Sequence, residues 1–448
     1  MTRVAVIGGG LAGITAALRC ADAGCEVRLL ESKPWLGGLT HSWRRDDAWV
    51  DNGQHVFLRC CTSYLALLDR MGVSDLVNLQ SRLDIQVRSA LSPRACRLRR
   101  NRMPAPLHLL GSIAGYRWLT LRERLRFARA ALALRSVDTA DPRTDEQTFG
   151  DWLVQHGQSP RAIEALWELV SVATLNARAH DASLSLAATV FQVGLLRDGS
   201  AGDLGWPLVP LRTLHGDAAA RALAQAGVDV LTRRKVTALR QAGGWSLDAG
   251  QAVEVTADAV VLAVPPAAAE RLLPAAAIDL PAGWSGRLGA SPIVNVHVRY
   301  DRQVLDEPFL AAVDGPVQWV FDRTRSSGVR SGQYLVVSLS AAQDLIDLPT
   351  SALCDLLLPG LQSLLPRSRN AAVQEVFVTR ERQATFWPAP GSARLRPPSA
   401  TSVPGLFLAG AWTDTGWPAT MEGAVRSGDN AARMVLQSTP SACREVAA

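Results

Sequence analysis

The chain opens on short apolar runs broken by glycine. After Arg3 comes Val-Ala-Val-Ile, long enough for a buried strand, then Gly8-Gly9-Gly10, then an apolar segment with helical spacing over about 11–23. Gly24 stops that helix, and EVRLLE, residues 26–31, supplies a second strand. Strand, turn, helix and strand in this order predict a βαβ unit and hence a parallel sheet. Two later stretches break the pattern. VDNGQHVFLRC, residues 50–60, sets Asp51, Asn52, Gln54 and His55 between strand-like apolar flanks. PLHLLGSIAGYRWLTLRERLRFARAALALR, residues 106–135, reads as an amphipathic helix or a helical hairpin, with six arginines from Arg117 onward against the single acid Glu123.

A length of 448 residues predicts two domains or one interrupted domain. With 48% hydrophobic residues, 35 Gly and 25 Pro, the composition is globular throughout and no segment reads as disordered. The balance of 47 Lys+Arg against 41 Asp+Glu permits an acidic partner such as anionic lipid or nucleic acid without requiring one. Seven cysteines, Cys20, Cys25, Cys60, Cys61, Cys96, Cys354 and Cys443, form no CxxC pair and are odd in number. That argues against a disulfide framework or a metal site and for a reducing cytoplasm. The N-terminus copies a signal peptide in composition, but its glycine spacing argues against one. No uninterrupted apolar run reaches the ~18 residues of a membrane span.

Gly8, Gly10 and Gly13 fill the positions of a GxGxxG turn. The first turns the chain, the second lets backbone approach a pyrophosphate, and the third lets helix and strand pack closely. The helix start, with Leu11 and Ala12 in its first turn, offers amide donors and a positive dipole end to phosphate. Glu31 ends the second strand, where an acid accepts hydrogen bonds from a ribose. The chain then runs through Ser32 and Lys33 to a second glycine pair, Gly37-Gly38, followed by Leu39 and Thr40. A nicotinamide dinucleotide has no general need of a second close-approach loop, whereas an extended FAD does.

ESKPWLGG, residues 31–38, resembles the E-x-x-x-x-x-G-G extension of the FAD-dependent amine oxidase and carotenoid desaturase superfamily. FLAGAWTDTGWPATMEGAVRSGDNAA, residues 407–432, is similar to its C-terminal flavin motif. The resemblance implies an α/β, Rossmann-type FAD-binding domain built from 1–89, 207–285 and 391–448. An interleaved α+β substrate domain would come from 90–206 and 286–390. It implies that Gly410, Ala411, Met421, Glu422 and Ala424 meet the flavin end of FAD, and that the backbone of Val236 meets adenine. Two departures stand out. Where the superfamily places an acid after Ala-Gly this chain has Ala411, with Asp414 as a nearby replacement, and Leu39-Thr40 stands where Arg is frequent.

DNGQHV, WVFDRT (319–324) and AGAWTDTGWPATMEGAVRSG, in that order, resemble the hydroxysqualene dehydroxylase family. That family implies removal of the hydroxyl of hydroxysqualene by reduced FAD to give squalene. It also implies synthases of the squalene pathway as partners. The apolar, arginine-bearing stretch 106–135 suits peripheral contact with the anionic cytoplasmic membrane face and equally a helical hairpin covering the substrate cavity, and no nucleic acid is expected. The alternatives are a carotenoid desaturase or amine oxidase of the same fold, or a non-catalytic subunit of a squalene-forming complex. DNGQHV falls where the superfamily brings a loop beside the isoalloxazine, so Gln54 and His55, with Asp414, are the catalytic candidates. Asp322 and Asp203 are further acids that suit structural roles better, and Asp51 and Asn52 suit a local turn. Trp319, Trp387, Trp412 and Trp417 offer aromatic faces to a cationic intermediate.

Overall fold

The computed structural model describes residues 1–250 and 254–438, so Cys443 lies outside the described residues. Its first layer is the expected parallel sheet of five strands, in the order Asp229–Leu231, Glu26–Leu30, Arg3–Ile7, Ala259–Leu262, Leu406–Leu408. Val4 stands opposite Val27 on one side and Ala259 on the other. Covered on both faces, the central strand buries Val4 through Ile7, which is why it reads as an unbroken apolar run. Helix Leu11–Asp22 follows it, and helix Met421–Ser438, the last described element, lies against that helix. Gly428 allows this packing: a Cβ there would stand 2.3 Å from the Ala12 carbonyl oxygen and 2.8 Å from the Thr15 Cβ.

The second layer is a seven-stranded mixed sheet in the order Val373–Thr385, Ser291–Tyr300, Gln333–Leu339, Trp319–Asp322, Phe309–Val313, Asp84–Ser89, Ser92–Arg99. Alternation gives it two different faces. Val294, Val296, Val298, Val320 and Val337 pack against Leu353, Leu357 and Leu361 of helix Thr350–Leu364. Ile293, Trp319, Phe321 and Ser338 turn the other way, onto a cavity. Asp84–Ser89 runs parallel to Phe309–Val313, so the chain enters this sheet before residue 90, the edge expected from the sequence. Its partner strand lies far along the chain, and local patterning does not register it.

A helical layer closes the cavity, with Phe149, Trp167 and Phe191 in edge-to-face and tilted contact within it. Residues 106–135 enter it as a turn at Leu107–Leu109, a short helix Leu110–Ala114 and a longer one Leu121–Leu134, rather than as one helix. The break is a capping box: Thr120 Oγ1 accepts from the Glu123 amide, and the Glu123 carboxylate accepts from the Thr120 amide. Among the described residues no helix is long and apolar enough to cross a membrane.

Gly428→Val should lower the stability of the protein by about 1–3 kcal/mol through overpacking of the two helices. A denaturation midpoint equal to that of the wild type would mean that the helices slide apart freely.

Candidate functional site: a flavin cradle opening into an apolar cavity

A cavity of about 1300 Å³ lies between the two sheets. It exceeds the ~300–1,000 Å³ usual for one small ligand, leaving room for a dinucleotide and a second molecule. Of the residues that the sequence assigned to a cofactor, all but Gly13 line it. A Cβ at Gly13 would stand 1.9 Å from the Gly8 carbonyl oxygen, so this glycine lets the helix approach the turn from behind. Gly10 begins helix Leu11–Asp22 in an extended conformation with no side-chain cap, which leaves its first amides free for a phosphate. The second glycine loop lies across the first: Gly37 donates its amide to Gly9 O at 2.8 Å, and a Cβ on Gly38 would fall 2.9 Å from the Gly10 Cα. Leu39 and Thr40 follow on the cavity wall.

Glu31 is buried at the edge of this cradle. Its carboxylate accepts from Gly9 N at 2.6 Å, Lys33 N at 2.7 Å and Ser32 Oγ at 3.0 Å, and a carboxylate has lone pairs left for ribose hydroxyls. Arg234 N donates to Glu31 O at 2.8 Å and Arg233 N to Lys33 O at 3.0 Å, which brings Val236 alongside. These features fit an extended FAD.

At the other end, Gly410 (φ +142°) gives its amide to Ser427 Oγ at 2.7 Å and lies under the Trp412 indole, whose Nε1 donates to Val264 O at 2.9 Å. Ala411, Met421 and Ala424 line the cavity, but Asp414 does not replace the acid missing at Ala411. The turn carries it to the surface, where it accepts from Gly416 N at 3.2 Å. Glu422 is also differently employed. Its wholly buried carboxylate pairs with Arg426 at 2.7 Å and accepts from Tyr64 N at 2.8 Å and Ser63 N at 3.2 Å, capping helix Thr62–Arg70. Its backbone, at the start of Met421–Ser438, is what it can offer a flavin. Sequence reasoning missed Arg396, which donates to Thr413 O and Trp417 O at 2.7 Å each and lies 4.7 Å over the Phe386 ring. Burial pushes its pKa down to about 10. An arginine in a Pro-flanked loop carries no sequence signal for this role.

The polar stretch 51–55 joins the two layers. Asp51, expected in a local turn, makes a buried ion pair with Arg323 and accepts from Ser42 Oγ at 2.6 Å and Leu211 N at 3.1 Å. Asn52 bonds Leu39 O at 2.6 Å and His41 N at 3.2 Å, tying the stretch to the second glycine loop. Gln54 and His55 line the cavity. The His55 Nδ1–H donates to Gly53 O at 3.1 Å and burial pushes its pKa down, so the ring is neutral with its Nε2 as an acceptor. It can orient a hydroxyl but is poorly suited to protonate one. Asp203 is fixed by Arg100 at 2.6 Å, Arg59 at 3.0 Å and Leu83 N at 2.7 Å, and Asp322 by Thr324 N and Gln333 Nε2 at 2.8 Å each. Of the four tryptophans, Trp319, Trp412 and Trp417 line the cavity.

The model of flavin-containing amine oxidoreductases matches residues 11–436. The chain belongs to that family. Among curated relatives, the hydroxysqualene dehydroxylase of Rhodopseudomonas palustris is 29% identical, covering 97% of this chain and 98% of the relative. That of Sinorhizobium fredii is also 29% identical, over 97% and 99%. A probable zeta-carotene desaturase of Synechococcus elongatus is 27% identical over 97% and 98%. The fold is that of wild-type putrescine oxidase bound to putrescine, with a TM-score of 0.72 at 19% identity over 97% and 99%. This member of the flavin-containing family is therefore an FAD-dependent oxidoreductase.

Gly10→Val should fold but carry no flavin, since the new side chain occupies the pyrophosphate's place. Glu31→Ala should weaken FAD binding by about 1.5–3 kcal/mol, the loss of a charge-assisted hydrogen bond. Flavin absorbance of the purified variants checks both, and full flavin content in Gly10→Val would refute the cradle.

Proposed function

We propose that this enzyme reductively removes the hydroxyl of hydroxysqualene to give squalene. One observation carries the reading: beyond the cradle the cavity wall is apolar and aromatic, from Phe309 and Trp319 on the sheet through Phe127 and Trp167 to Leu107, Leu110 and Leu132. An amine would be desolvated there without compensation, whereas a polyisoprenoid loses nothing on entering. The dehydroxylase names of relatives matched over nearly the whole chain support the same choice. The carotenoid desaturase alternative rests on the similarity to the Synechococcus elongatus protein and differs in the direction of electron flow.

FAD, when reduced, supplies a hydride equivalent. The chain does the rest. The two glycine loops and Glu31 hold the cofactor, and the Arg396-braced turn keeps Trp412 and Trp417 on the wall. His55 Nε2 accepts from the substrate hydroxyl and orients it. The aromatic faces of Trp319 and Phe321, stacked with centroids 6.1 Å apart, exclude water and face a developing allylic cation.

Membrane contact belongs to the same proposal. Leu121, Leu125 and Leu132 share one stripe of helix Leu121–Leu134 and are 69%, 61% and 54% exposed. Leu107 and Leu110 are also exposed while lining the cavity mouth, and exposed Arg122 and Arg129 flank the patch. An apolar stripe flanked by arginine suits an anionic bilayer, from which the substrate enters. Synthases of the squalene pathway would act on that same membrane.

Reduced enzyme mixed anaerobically with hydroxysqualene should regain the absorbance of oxidised flavin. In D₂O the squalene formed should carry one deuterium at the former carbinol carbon. Reduction of the oxidised enzyme by a squalene-type hydrocarbon, with no reoxidation of the reduced enzyme by the alcohol, would favour the desaturase direction and sink the reading.

Leu121→Asp with Leu125→Asp should weaken binding to anionic vesicles at least about tenfold, given ~1.5–3 kcal/mol for each leucine withdrawn from an apolar phase. Flavin content should not change. Equal co-sedimentation of variant and wild type would mean that the patch faces water.

A further inference from the structure

Loss of a hydroxyl from carbon needs a proton on the departing oxygen, and the cavity wall narrows the choice of donor. Its carboxyl groups among the described residues are Glu31, Glu381 and Glu422. Glu31 belongs to the cradle through its three donors, and Glu422 is closed off by Arg426 and the helix cap. His41 and His55 are both pushed below the usual imidazole range by burial, so neither carries a proton to give at neutral pH. The neighbouring Cys60 and burial push the Cys61 thiol up, which makes it a poor acid, and Cys60, also on the wall, is engaged by its hydrogen bond with Cys61.

Glu381 remains. It lies on strand Val373–Thr385, directly across from Ile293 on the wall that also carries Ser338 and Trp319. Among the described residues it accepts one hydrogen bond, from Gln383 N at 3.3 Å, and joins no ion pair.

Resting on the dehydroxylase reading, we propose that Glu381, the carboxyl group of the cavity wall with no other commitment among the described residues, is the general acid of the reaction. Substrate filling the cavity lies against the Glu381 carboxyl group. Its proton passes to the carbinol oxygen as the C–O bond breaks, the bonding pair leaving with oxygen as water. The allylic cation gains a hydride, forming the new C–H bond, with both electrons drawn from the reduced cofactor. The Glu381 carboxylate recovers a proton from solvent.

The test uses the holoenzyme in two states. Oxidised wild type, which has no hydride to deliver, should exchange the hydroxyl of hydroxysqualene with ¹⁸O-labelled water. Glu381→Gln should lose that exchange and, when reduced, lose about 10²–10⁴-fold in kcat with unchanged flavin content. Glu381→Asp should restore part of both. Wild-type rates in Glu381→Gln, or reductive turnover by a wild type that shows no exchange when oxidised, would overturn the assignment alone. A wild type inert towards hydroxysqualene in both states would overturn the dehydroxylase reading and the assignment with it.

Discussion

The ion pair between Asp51 and Arg323 holds the two layers in one register. Asp51 ends the hairpin Ser42–Arg45/Ala48–Asp51 and leads into the loop that carries Gln54 and His55; Arg323 follows the sheet strand that carries Trp319 and Phe321. Both partners are buried, so desolvation opposes the pair and only close geometry with further hydrogen bonds offsets it. Ser42 Oγ and Leu211 N provide those bonds to the carboxylate. Moving either layer alone would leave a buried charge unmatched. The distance from the cofactor loops to the substrate wall is therefore set by electrostatics rather than by the soft packing of leucines, as a hydride transfer over a short, fixed gap demands.

From that register follows the division of labour in the seven-stranded sheet. One face is valine and leucine packed on helix Thr350–Leu364, and gives the wall its rigidity. The other is apolar with a few polar points on the cavity wall, among them Ser338 and Glu381. A wall of this kind binds a hydrocarbon chain almost anywhere and its hydroxyl at one place. Specificity for the position of the hydroxyl thus comes from the scarcity of hydrogen-bonding groups and not from their number.

The parts of this site that can be read along the chain are those whose physics is local. The turn at Gly8, the approach of Gly10 to Gly38 and the acid at Glu31 are demanded by steric and hydrogen-bonding rules spanning a few residues, and the sequence pattern displays them. The capping box Thr120–Glu123, which divides 106–135, was equally local and could have been read from T-x-x-E. Carboxylates behave otherwise. Asp51, Asp414, Glu422 and Glu381 look alike in sequence, and their duties are assigned by Arg323, by a turn to the surface, by the amides of helix Thr62–Arg70 and by a strand face. Each partner is remote or depends on which side of the sheet faces the cavity. The same remoteness hid the passage of Asp84–Ser89 into the second sheet.

The two departures from the superfamily pattern, Leu39 and Ala411, act in one direction. Each removes a charged side chain from the cofactor's surroundings, and Asp414 does not compensate. Backbone amides at the helix start after Gly10 and the turn braced by Arg396 would then hold the phosphates and ribityl chain. Dipoles fixed in the fold need no counter-ion and little bound water, whereas an arginine or aspartate at the flavin would keep both nearby. A cavity that must shelter an allylic cation from capture by water benefits from that exchange, since water near the cation would reverse the loss of hydroxyl before the new C–H bond forms.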